Sequence, residues 1–62
     1  MEEGTITKTK ITGGGGYEVT RLDYEDGRKV YQVTNWIMGR VIYTTYNEWD
    51  ARDVLSDLIA GL

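Results

Sequence analysis

The chain contains no cysteine, no histidine and no proline in its 62 residues. Without cysteine there are no disulfides and no thiolate metal sites, and without histidine the commonest neutral metal ligand is missing too. The same two absences remove Ser-His-Asp, Cys-His and zinc-water catalysis. Ser56, the one serine, has no evident base near it. Paired carboxylates such as Asp23 with Glu25, or Asp50 with Asp53, read as solvated surface groups, because a general acid needs a pocket that raises its pKa. No catalytic residue, cofactor or metal is expected.

Long apolar runs are also missing. No stretch approaches the ~18 consecutive apolar residues of a membrane span. Met1-Glu2-Glu3-Gly4 is acidic and no apolar run follows it, unlike a signal or transit peptide. The expectation is a cytoplasmic protein without membrane contact. An excess of positive charge is absent as well: the net charge is −3, and residues 1–46 carry six basic and six acidic groups. The surplus lies in the last quarter of the chain, where Glu48, Asp50, Asp53 and Asp57 face only Arg52. That distribution excludes the basic footprint of a dedicated duplex-DNA binder.

What is present is one small domain, 1–62. Chains of this length bury only about 60% of their unfolded surface, and with disulfides and metals excluded, association with another subunit is the stabilising device that remains. Residues 47–62 hold the clearest pattern. Ala51, Val54, Leu55, Leu58, Ile59 and Leu62 fall on one stripe of a helix. Asn47 is a good N-cap, Thr45 with Glu48 is an alternative capping box, and Gly61 is a natural stop.

Everything before this helix reads as strand. Residues 5–12 alternate β-branched residues with Thr or Lys, and the lysines suit an edge. Gly13–Gly16 reads as a flexible hairpin loop; it lacks the following helix and the Lys-Ser/Thr signature of a phosphate cradle. A second strand from Tyr17 to Glu25 and a third from Arg28 to Ile37 flank Asp26-Gly27, a strong two-residue hairpin signal. That turn pairs Leu22 with Tyr31 and Thr20 with Val33, whereas a three-residue loop with a glycine bulge pairs Asp23 with Lys29. The stretch Asp23–Asp26 lacks the alternating ligands of a calcium loop. Met38-Gly39 is the next candidate turn, leading to a fourth strand, Arg40–Thr45, with Val33 opposite Thr44. The predicted fold is α+β: a four-stranded antiparallel meander with one C-terminal helix packed on one face, ββββα.

With the two-residue turns, one face collects Leu22, Tyr24, Tyr31, Val33 and Ile42, and the helix is expected there. The other face collects Tyr17, Val19, Trp36, Val41 and Tyr43, which a single helix cannot also cover. A contiguous apolar and aromatic face on a small domain marks an interaction site. These five residues are therefore the expected binding site, for a second copy in a homodimer or for another protein. Single-stranded nucleic-acid binding by the same aromatics is an alternative that the charge balance disfavours. A further alternative is a small acidic inhibitor of the phage accessory type, presenting Asp50, Asp53 and Asp57 to a basic partner.

Overall fold

The structure, a computed structural model, describes residues 6–61. Thr5 and Leu62, assigned above to the first strand and to the helical stripe, lie outside the described residues. The chain runs β1 (Ile6–Gly14), β2 (Tyr17–Tyr24), β3 (Lys29–Asn35), β4 (Arg40–Thr45) and α1 (Glu48–Ala60). The strands form one antiparallel sheet in the order β1-β2-β3-β4, with α1 over β2, β3 and β4. The expected ββββα architecture is the one found.

The turns decide which side chains meet the helix. Between β1 and β2 the turn is only Gly15-Gly16, with φ of 60° and 90°, the two positive values of a type I′ turn. Gly13 and Gly14 belong to β1, which corrects the expectation of a flexible four-glycine loop. A Cβ on Gly13 would stand 2.8 Å from the Tyr17 carbonyl oxygen, and one on Gly16 would stand 2.7 Å from Ile37 Cδ1. Gly13 is therefore required by its close approach to backbone, and Gly16 by its positive φ.

The β2–β3 connection is the three-residue loop Glu25–Gly27. Gly27 N donates to Tyr24 O at 3.0 Å, Tyr24 N donates to Arg28 O at 2.9 Å, and Gly27 takes φ 94°. This is a type I turn closed by a glycine bulge. It pairs Asp23 with Lys29, Leu22 with Val30 and Val19 with Val33, one residue away from the two-residue register. Asp26 favours it locally, its carboxylate accepting from the Arg28 backbone N at 3.0 Å and from Arg28 Nε at 2.8 Å.

The β3–β4 connection is also longer than Met38-Gly39. Asn35 Oδ1 accepts from the backbone N of Ile37 and of Met38, both at 3.1 Å, and Gly39 N donates to Asn35 O at 2.8 Å. Residues 36–39 form the loop, with Gly39 at φ 71°. Val33 consequently faces Tyr43, Tyr31 faces Thr45, and Thr34 faces Val41, with Ile42 the extra residue of a bulge.

A slip of one residue exchanges the faces of a strand. Tyr31 and Val33 on β3 lie under the helix as expected, but β2 is inverted relative to expectation, and so is β4 from Tyr43 onward, the bulge at Ile42 leaving Val41 on the expected far side. The core consists of Val19, Tyr31, Val33, Ala51 and Leu55, with Ile11, Tyr17, Val54 and Leu58 packed against it. Ile11 is the extra residue where the β1–β2 register shifts between Lys10 and Thr12. Val19 and Val33 have no exposed surface at all.

Leu22 and Val30 are buried on the far side, where no helix lies. The register sets Lys8 beside Leu22 and Ile6 beside Tyr24, side chains long enough to reach over that pair.

The helix begins at Asn47, whose Oδ1 accepts from Trp49 N at 2.8 Å and Asp50 N at 3.2 Å. Thr45 supports the cap from outside, its hydroxyl accepting from Asn47 N at 3.2 Å. Glu48 and Asp50 occupy the positive end of the helix dipole. Gly61 ends the helix with φ −82°, without the left-handed conformation of a glycine cap.

Candidate interaction surface

The five expected site residues do not form one open face. Val19 is fully enclosed and Tyr17 packs on the core beneath α1, so these two are structural. Their inversion follows from the longer β2–β3 loop. Trp36 is the first residue of the β3–β4 loop, 58% exposed, with its backbone N donating to Gly16 O at 3.1 Å. Val41 and Tyr43 are exposed but alternate across β4, with Tyr43 on the helix side and Val41 paired with Thr34 on the other. The structure thus separates Tyr17 and Val19 from Trp36, Val41 and Tyr43.

The latter three belong to a different surface. Strands β1 and β4 are the two edges of the sheet, and an edge presents unpaired N–H and C=O groups to any passing strand. β1 is guarded by Lys8 and Lys10. β4 has no charge after Arg40, reading Val41-Ile42-Tyr43-Thr44-Thr45, and every residue of it except Thr45 is exposed. Apolar side chains continue beyond both its ends. Before it stand Trp36, Ile37 and Met38, and after it stand Tyr46 and Trp49, at 75% and 73% exposure. Eight of the ten exposed large hydrophobic side chains among the described residues lie on β4, in the loop before it or in Tyr46 and Trp49 after it, so the exposed apolar surface is concentrated in one stretch of the chain.

Comparison with known proteins finds no matching family model, no matching curated protein and no matching solved structure. The functional reading therefore rests on the geometry.

The charges around the strip are mostly engaged within the chain. Tyr43 Oη donates to Asp50 Oδ2 at 2.7 Å, joining β4 to the first turn of the helix. This hydrogen bond, helped by desolvation and by the Asp50 charge, pushes the Tyr43 phenol above its ordinary pKa. Arg21 Nε donates to Asp23 at 2.9 Å and Lys29 approaches the same carboxylate at 3.5 Å. The Arg21 hydrogen bond holds the Asp23 carboxyl below its ordinary value, against the opposing effect of partial burial. Arg52 pairs with Glu48 at 2.8 Å and lies 5.6 Å over the Trp49 ring, while Arg28 lies 4.6 Å over Tyr24. Arg40 has no ion pair among the described residues.

Tyr17, Trp36 and Tyr43 sit under the helix, at a loop and against Asp50, so they make no shared stacking platform for bases. Asp50 is turned to Tyr43, leaving Asp53 and Asp57 as the exposed acids of its stripe. A shallow depression on the outer side of α1 is lined by Asn47, Trp49, Asp50, Arg52, Asp53 and Ser56. All six come from one helix and its cap.

The surface residues beyond the expected five are Ile37, Met38, Ile42, Tyr46 and Trp49. A signal for them exists in the sequence: Val41–Tyr46 is an uncharged run in the last strand of a meander, which must be an edge. Asn35 four residues before Gly39 marks the loop that exposes Trp36 to Met38.

Proposed function

We propose that this protein is a non-catalytic interaction module that binds another polypeptide by adding a strand to the free edge of β4. The observation that carries the reading is the contrast between the two edges: β1 bears lysines, whereas β4 is uncharged after Arg40, apolar and exposed. In strand addition the main chain supplies hydrogen bonds and the alternating side chains supply selectivity. Val41, Ile42 and Tyr43 are the contact residues, and the Trp36–Met38 loop and the Tyr46/Trp49 pair frame the strand. No helix among the described residues is long and apolar enough to cross a membrane, and on composition the proposed setting is the cytoplasm.

The test is selection of extended peptides from a displayed library on the immobilised protein. Binding of the selected peptides is expected to be lost in Val41→Lys and Ile42→Lys and kept when Lys8 on β1 is changed to Glu. Binding that survives both β4 substitutions but fails in Asp53→Lys with Asp57→Lys would replace this reading with the acidic-helix one.

A further inference from the structure

Three properties of β4 say which polypeptide lies along it. The first is the distribution of its apolar flanks. Residues 36–38 precede the strand, Trp36 and Ile37 leaning on Gly16 of the β1–β2 turn, and Tyr46 and Trp49 follow it, all exposed. An antiparallel strand from a second copy places the loop of each chain beside Tyr46 and Trp49 of the other, covering both exposed ends of both chains. A parallel arrangement leaves like ends together and does not bring the two sets into contact.

The second property is charge. Arg40 opens β4 without an ion pair among the described residues, while the acidic first turn of α1 follows its close with Glu48, which also holds Arg52, and Asp50, which also accepts from Tyr43. With the two copies of β4 fully overlapped, Arg40 stands opposite Thr45 of the second copy, just ahead of that acidic turn. Two-fold symmetry repeats the complementarity.

The third is area. The strip contains three tyrosine or tryptophan side chains more than half exposed, each able to bury roughly 150–250 Å². With its aliphatic members it offers on the order of 1,000 Å². A stable interface needs about 800 Å² per partner, and the largest patch on an ordinary monomer is about 300–600 Å².

We infer that the polypeptide bound at β4 is a second copy of this chain, paired antiparallel across a two-fold axis to give a continuous eight-stranded sheet with both helices on one side. The inference rests on the strand-addition reading and specifies its partner. Full overlap, with Arg40 opposite Thr45, centres the axis between Ile42 and Tyr43, at a register that cross-linking reads directly.

Because the chain has no cysteine, a single cysteine can be walked along β4 as Val41→Cys, Ile42→Cys and Thr44→Cys, with Thr9→Cys on β1 as control. Sedimentation equilibrium of the unmodified chain accompanies the walk. The expected result is a concentration-dependent dimer, a disulfide yield that peaks at one β4 position, and no cross-link from Thr9→Cys. Arg40→Glu is expected to weaken the dimer by about tenfold while leaving its far-ultraviolet circular dichroism unchanged. A monomer at every concentration overturns the inference, as does a cross-link yield on β4 no higher than on β1. If the monomer still binds library peptides in a manner sensitive to Ile42→Lys, strand addition stands and only the second copy is excluded; if it binds none, both fail.

Discussion

Replacing Leu55 with Ala tests the packing that leaves β4 free. Leu55 is 6% exposed and sits in the cluster with Val19, Tyr31, Val33 and Ala51. The substitution removes three carbons, worth about 0.8 kcal/mol each in transfer. It also leaves a cavity that a core of so few residues closes only partly, so the expected loss is about 2.5–3.5 kcal/mol. A chain of this size has a total stability of roughly 3–9 kcal/mol, and each kcal/mol moves Tm by about 4–8 °C. The expected outcome is a fall in Tm of more than about 10 °C, with a lower urea midpoint at nearly constant slope.

Ile59 is the control. It lies on the same helix but is 38% exposed, with Cδ1 resting over Gly14, and Ile59→Ala is expected to cost about 1 kcal/mol. Denaturation is measured at several protein concentrations so that association is separated from folding. Equal losses at Leu55 and Ile59 would refute the placement of the helix, and with it the assignment of Val19 and Tyr17 to the core.

Two further predictions follow from the turns and the ion pairs. Gly15→Asn is expected to hold or slightly raise Tm, because Asn favours the first position of a type I′ turn, while Gly16→Ala, at φ 90°, is expected to cost more than about 1 kcal/mol of stability, a fall in Tm of at least about 4 °C. Asp23 and Asp26 are held below the ordinary value of 3.8, by the Arg21 side chain and the Arg28 backbone N–H respectively. Their stabilisation is therefore complete above that value and is lost as pH falls through their depressed folded-state values; Asp23→Asn is expected to flatten the acid limb of a Tm-against-pH curve, and an unchanged limb would show that the pair with Arg21 contributes nothing in solution.

The architecture was legible from local patterns, and the faces were not. The helix from Asn47 follows from its apolar stripe and cap, and the four strands from β-branched alternation between glycines. Gly27 serves either a two-residue type I′ turn or a three-residue loop with a glycine bulge, since both need positive φ there. The sequence pattern around Asp26-Gly27 is compatible with both, and the longer loop is shown by Gly27 N donating to Tyr24 O, with the Asp26 carboxylate on the Arg28 backbone supporting it. The same ambiguity recurred at Gly39, where the Asn35 side chain closes a four-residue loop. Each alternative moves the pairing by one residue, and apolar residues on both sides of β2 left no pattern to choose between them: Tyr17 and Val19 on one, Leu22 and Tyr24 on the other. Trp36, Val41 and Tyr43 remained exposed because exposure at an edge does not depend on which face a strand presents.

Hydrogen exchange of the β4 amides, followed as protein concentration is raised, bears most directly on the claim that this edge is where the molecule binds a strand. The account predicts that amides within Arg40–Thr45 become slower to exchange with concentration while those of β1 do not. Exchange along β4 that is independent of concentration, or protection appearing on β1 instead, would contradict it.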